Sequence, residues 1–148
     1  MPKPNNVGVG TAILIFNQAG EILLLKRRGS HRAGHWSVPG GWIDFEDAHT
    51  GLAAVREAFE ETGIKVTEVA EHGHTSEVHE EIQVRTITLY FHAVEWEGTA
   101  TIQEPEKCEE MGWFSPDNLP EPLFPGLEEK IEEAFDFESW PQVDERNI

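Results

Sequence analysis

Residues 40–63 read GGWIDFEDAHTGLAAVREAFEETG, and the rest of the chain takes its meaning from how this stretch folds. On a helix, Glu57, Glu60 and Glu61 stand at i, i+3 and i+4, so their carboxylates leave one surface on neighbouring turns. Like charges at that spacing repel, and a hard divalent cation with oxygen ligands offsets the repulsion. Leu52, Val55 and Phe59, with Ala58 and Thr62 beside them, fall on the other side and predict an apolar face docked on a sheet. Gly63 supplies the helix stop. Glutamate clusters on helices are commonly solvated faces, so the helix by itself assigns no activity.

The flanking residues narrow the choice. Pro39-Gly40-Gly41 predicts a turn whose glycines let backbone carbonyls approach a ligand, and WIDF after it reads as a short strand. Arg56 directly precedes Glu57. Glycine pair, arginine-glutamate, glutamate pair and closing glycine together resemble the signature of the Nudix hydrolases. The spacing from Gly41 to Arg56 is one residue longer than in that family, so the slot of its first glutamate falls on Asp47 counted forward and on Ala48 counted back. An insertion near the helix start, with Asp47 or Glu46 supplying that carboxylate, accounts for the difference.

The resemblance implies specific roles. Mg²⁺, or Mn²⁺ in its place, is held by Glu57, Glu60 and Glu61 with the Gly40 carbonyl. Arg56 orders the glutamates, Asp47 supports Arg56, and Gly41 and Gly63 frame the motif. The expected chemistry is attack of water on a phosphorus of a diphosphate.

Length and composition set outer bounds. A chain of 148 residues suits a single domain with a real core. It has no apolar run long enough to span a bilayer and no apolar segment near its start, so a soluble, cytoplasmic protein is expected. A single cysteine, Cys108, excludes an intrachain disulfide framework and a Cys-rich zinc site. The formal charge of −17 opposes binding to nucleic acid polymers or anionic membranes. A polyphosphate substrate must therefore arrive with cations or meet them in the site.

The remaining elements follow from periodicity. VGVGTAILIF at 7–16 reads as a buried strand, NQAG as a turn, and EILLLKRR as the second strand of a hairpin. Lys26, Arg27, Arg28 and Arg32 then form a positive cluster in an acidic chain, placed in a loop; the resemblance points Arg27 at substrate phosphates. IKVTEVAEH and EEIQVRTITLYFHAVEWEG read as strands, the second with Ile87, Leu89, Phe91 and Ala93 on one face. Between them HGHTSEVHEE predicts a hairpin or loop, and His72, His74 and His79, without a cysteine, are a weak case for zinc.

EPEKCEEMGWFSPDNL at 104–119 places acids before a short strand around Trp113-Phe114. Nudix enzymes bring a further glutamate from this loop to the metals, and Glu106 and Glu109 are both eligible. EPEKCE, the WF after it and LPEPLFPGL are similar to a narrower group, the MutT-like nucleoside triphosphate diphosphatases of plants and animals, over about residues 7–135. That likeness implies base contacts from Gly126 and Leu127 and a homodimer. Trp36 and Phe124 are candidates to stack on a base. A last helix at about 126–135 closes the pocket, and 138–148 reads as a tail.

Element order alone yields one mixed α and β domain. The resemblance sharpens this to an α/β/α sandwich around a mixed sheet. It also implies a Mg²⁺-dependent pyrophosphohydrolase that cleaves nucleoside triphosphates, including oxidised ones, to nucleoside monophosphate and pyrophosphate. Two other readings stay open: a Nudix diphosphatase for ADP-ribose, a nucleotide sugar, a dinucleotide or a prenyl diphosphate, and a nucleotide-binding module without catalysis.

Overall fold

The computed structural model describes residues 6–29 and 31–134. The expected tail at 138–148 lies outside the described residues. Strand β1 (Val7–Leu14) runs antiparallel to β4 (Gly40–Trp42) and parallel to β6 (Val84–Glu97), which pairs antiparallel with β5 (Lys65–His79). The result is a mixed sheet in the order β4-β1-β6-β5. A second, antiparallel sheet orders β3 (Trp36–Ser37), β2 (Ile22–Arg27) and β7 (Cys108–Phe114) as β3-β2-β7.

Alternation along the strands builds two cores. Ile13, Ile15, Leu23, Leu25, Phe91 and Ala93 point to one side, where Ala54 and Ala58 of helix α1 (Thr50–Thr62) meet them. Ala12, Leu14, Ile22, Leu24 and Tyr90 point to the other, against Leu127, Ile131 and Ala134 of helix α2 (Leu127–Ala134). Helices thus cover opposite faces, and the fold is the expected α/β/α sandwich. Among the described residues no helix is long and apolar enough to cross a membrane.

The packing face of α1 is shifted from the one expected: Ala58, Thr62 and the half-buried Val55 pack as expected, but Leu52 and Phe59 do not. Its buried residues are Gly51, Ala53, Ala54, Ala58 and Thr62, whereas Leu52 is 46% and Phe59 58% exposed. Small side chains at i and i+4 let the helix lie close to the sheet. That seam lies beside Glu57 and Glu61, so turning the glutamates inward turns Leu52 and Phe59 outward. His49 caps the first turn, its Nδ1 accepting from the Leu52 N–H at 3.4 Å, and Gly63 ends the helix in the left-handed region at φ 77° with its N–H on the Phe59 carbonyl.

Two strand expectations change as well, and a third is narrowed. The NQAG turn forms on Asn17, whose Oδ1 accepts from the N–H groups of Ala19 and Glu21, but β1 and β2 then diverge into different sheets and keep only a bridge at Phe16 and Ile22. The short strand after Pro39 contains the glycine pair itself and ends at Trp42, short of Asp44 and Phe45. The polar segment read as a hairpin or loop is a hairpin, with strand through His79 joined to β6 by a short 3₁₀ turn at Glu80–Ile82. Main-chain pairing to β6 supplies what its polar sequence does not advertise.

Candidate active site

Helix α1 brings its glutamates against β4 at a point where only glycine fits. A Cβ on Gly41 would stand 2.6 Å from the Glu57 carboxyl carbon, and one on Gly40 would collide with the Thr11 carbonyl oxygen. Neither glycine has a positive φ, so close approach, and not a turn conformation, is what excludes a side chain here. The Gly40 N–H donates to Glu61 Oε2 at 3.3 Å, which ties the helix to the strand.

The glutamates are not equivalent. Glu57 has a side chain 14% exposed, and its carboxyl is raised above the ordinary range by burial first, against the pull of Arg56. Glu61 is pushed up to about 8 by burial, then by the like charge of Glu57, with Glu104 adding to the effect. Glu60, 46% exposed, turns outward.

Arg56 organises this surface. Its Nε and Nη2 donate to the two oxygens of Asp47, each at 3.1 Å, while Nη1 donates to Glu57 at 3.0 Å and to Glu60 at 3.3 Å. The fork on Asp47 is the first cause of a raised Arg56 pKa and the first cause of a lowered Asp47 pKa. Asp47 also accepts from the Asp44 N–H at 2.7 Å, closing the loop that holds the extra residue. The structure thus brings Asp47 to the arginine, while Glu46 stays exposed on the loop.

A cleft of about 370 Å³ opens beside the glycine pair, with Gly40, Gly41, Thr11 and Trp42 on one part of its wall and Arg27, His31, His79, Thr86, Tyr90, Phe124 and Leu127 on the rest. Arg27 is on β2, not in a loop; its Nε donates to the His31 carbonyl at 3.2 Å and its guanidinium lies 5.1 Å from the Phe124 ring centre. Burial lowers its pKa while the charge of Glu61 raises it, so this arginine lies within electrostatic reach of the carboxylates. The other members of the basic cluster are engaged elsewhere: Lys26 pairs with Glu109 at 2.9 Å, Arg28 donates to the Pro105 carbonyl, and Arg32 lies near His79 and Glu81.

Several expected site residues stand apart from the cleft. Trp36 is 7% exposed in the second core, edge-on to Phe114 at 5.0 Å, so it packs and does not stack on a ligand. Gly126 has φ 85° and lies against Glu77 and Thr75 on β5, outside the cleft wall, whereas its neighbour Leu127 lines the cleft. Glu109 is spent on Lys26, and Glu106 is exposed on the preceding turn. Glu104, which sequence spacing passed over, is the acid of that loop whose charge raises Glu61. Its signal was present in the same acidic run, but the turn that aims it is set by the Lys107 and Cys108 N–H groups on the Glu104 carbonyl. Cys108 is buried, its thiol raised by that burial and donating to the Glu110 carbonyl, which makes it an inert packing residue.

The donor set fits a hard divalent cation. Glu57, Glu61 and Glu104 offer only oxygen, and burial and like charge raise the carboxyls of Glu57 and Glu61, a repulsion that an added cation would relieve. Residues 7–135 match the NUDIX domain. The chain belongs to the Nudix hydrolase family. A stretch of 70 residues is 39% identical to an uncharacterized Nudix hydrolase of Pseudomonas aeruginosa, covering 45% of this chain and 41% of that protein's length. The fold superposes on a MutT Nudix hydrolase from Burkholderia pseudomallei with TM-score 0.82 and 28% identity, over 88% of this chain and 99% of that one. A MutT protein from Methanosarcina mazei superposes with TM-score 0.77 and 26% identity, over 93% and 98%. These relatives are bacterial and archaeal; the likeness to plant and animal enzymes rests on the sequence motifs alone.

Proposed function

We propose that this Nudix chain is a divalent-metal-dependent pyrophosphohydrolase that cleaves nucleoside triphosphates, including oxidised ones, to nucleoside monophosphate and pyrophosphate. The observation that carries the reading is the seating of Glu57 and Glu61 on the Gly40-Gly41 strand, next to a cleft of about 370 Å³ that also holds Arg27 and Phe124. Glu57 and Glu61, with Glu60 nearest solvent and the Gly40 carbonyl, would hold Mg²⁺ or Mn²⁺. When bound, such an ion neutralises phosphate charge and makes a water more acidic.

The chain's own groups do the rest. Asp47 locks the Arg56 guanidinium, and Arg56 fixes Glu57 through Nη1, so the carboxylates are held in place before substrate arrives. Arg27 binds a phosphate oxygen from the opposite wall, and its charge offsets part of the repulsion between an acidic protein and a polyphosphate. Phe124 offers a ring to the base, and Leu127 an apolar contact. Glu104, whose charge acts on Glu61, is the acid of the neighbouring loop assigned to accept the proton of the attacking water.

A phosphate-release panel with Mg²⁺ tests this: dNTPs, oxidised dNTPs, ADP-ribose, nucleotide sugars and prenyl diphosphates. Turnover of nucleoside triphosphates with release of pyrophosphate is the expected result. Preference for ADP-ribose or a prenyl diphosphate replaces the substrate assignment, and binding without turnover of any compound would leave a nucleotide-binding module.

A further inference from the structure

The cleft carries a second cluster that the glutamate chemistry does not use. His31 Nδ1 stands 3.2 Å from Glu81 Oε1, yet it is buried without a hydrogen bond, because the approach is off the donor axis. His79 is fully buried, its ring edge-on to His31 at 4.6 Å between centres. One ligand atom from each of His31, His79 and Glu81 lies within 4.8 Å of the others.

The hydrogen bonds set the histidine tautomer. The Thr86 hydroxyl donates to Glu77 Oε2 at 3.4 Å, and a carboxylate can only accept. Thr86 Oγ1 is then the acceptor for His79 Nε2–H at 3.0 Å, which makes His79 Nδ1 an acceptor, met by the Arg32 guanidinium. A ligating histidine whose other ring N–H is held by a polar partner is the usual arrangement around a metal. Arg32 occupies the space in front: Nη2 is 3.4 Å from His79 Nδ1 and Nε 4.0 Å from Glu81 Oε1, and that Nε is itself buried without a hydrogen bond. The guanidinium therefore stands where a cation would, and pairs poorly.

We propose that His31, His79 and Glu81 form a second cation site, selective for a borderline-soft ion such as Zn²⁺, with its two imidazoles on the wall of the cleft and Glu81 beside its rim. Metal–ligand distances of about 2.0–2.1 Å put neighbouring donors of a tetrahedral site about 3.3 Å apart. The His31–Glu81 pair already stands at 3.2 Å, and Glu81, with a side chain 54% exposed on the 3₁₀ turn, is free to close on His79. Two imidazoles and one carboxylate suit Zn²⁺, whereas the all-oxygen cluster on α1 suits Mg²⁺. Three protein ligands leave a fourth position for a donor atom of whatever lies in the cleft. The site is independent of the nucleotide reading.

The test is a Co²⁺ titration of the full chain in excess Mg²⁺, read by visible absorption and by displacement with Zn²⁺. Wild type takes up one equivalent with the intense band of a low-coordinate site. Glu81→Gln and His31→Ala each weaken binding by about tenfold or more, and Glu81→Gln, on an exposed turn, keeps the test valid if His31→Ala melts. Arg32→Ala tightens binding several-fold, and the Glu57→Gln/Glu61→Gln chain keeps the band. No band in wild type, unchanged affinity in Glu81→Gln, no tightening in Arg32→Ala, or loss of the band in the α1 double variant each overturn the proposal.

Discussion

The two walls of the cleft solve different problems with different chemistry. Behind the β4 wall, outside the cleft lining itself, Glu57 and Glu61 are pressed onto glycine backbone, their charges crowded and their carboxyls raised. On the far side, His31, His79 and Arg27 line the cavity with nitrogen, and His79 is held by Thr86. A region crowded with like charge gains from an added cation. A region of neutral imidazoles and guanidinium groups is set to meet anions or softer metal ions. The contrast teaches that the overall charge of −17 is a poor guide to the site, since the cleft itself is lined by Arg27, His31 and His79 and by no carboxylate, while the acids stand behind the glycine strand.

Removing the acids should break the contrast most. Glu57→Gln and Glu61→Gln keep the shape and delete an anionic ligand, so each is expected to cost turnover about 100-fold or more, several kcal/mol of transition-state stabilisation. Steady-state kinetics with a melting curve on the same sample measures it; full activity in either would show that these carboxylates do not hold the ion. Asp47→Asn weakens the Arg56 fork without touching the glutamates and should lower activity or metal affinity about tenfold, with KM for substrate little changed.

The raised carboxyl gives a pH signature with a definite sign. Glu61 carries a folded-state value of about 8 against an ordinary 4.5, so between those values the folded chain binds more protons than the unfolded chain. Stability of the metal-free protein should therefore fall as pH rises across that window. Mg²⁺ competes for the same oxygens, so its affinity should tighten over the same window and level off above it; a pH-independent affinity would contradict the buried-carboxylate picture. The smallest effect is expected on the outer face of α1: Phe59→Ala should change stability by about 0.5 kcal/mol or less, because the ring is 58% exposed. A large loss in a denaturant melt would mean that Phe59 packs after all.

What the sequence revealed, and what it withheld, divides along the same lines. The α1 span, its glycine stop and the two-faced central strands were legible because each is written in local periodicity or in one residue's backbone preference. Within the packing face only Leu52 and Phe59 were misread, because they extend the hydrophobic stripe of Val55, and only the demand that Glu57 and Glu61 face Gly41 selects the alanine seam. Asp47 and Glu46 could not be separated by counting, since the insertion bends the loop; the distances to Arg56 separate them. Glu104 escaped because its aim depends on a turn built from main-chain bonds. The pairing of His31 with His79 escaped because the reading as a hairpin or loop did not say which wall the strand would join, and the fold brings residues far apart in sequence to one place.

The central claim is that Glu57 and Glu61 together seat a divalent ion on the Gly40-Gly41 strand. Mn²⁺ binding followed by electron paramagnetic resonance, on a Glu81→Gln background that weakens the histidine cluster, tests it directly. Stoichiometric binding that vanishes when Glu57→Gln and Glu61→Gln are added is the predicted result. Undiminished Mn²⁺ binding in that chain would contradict the account.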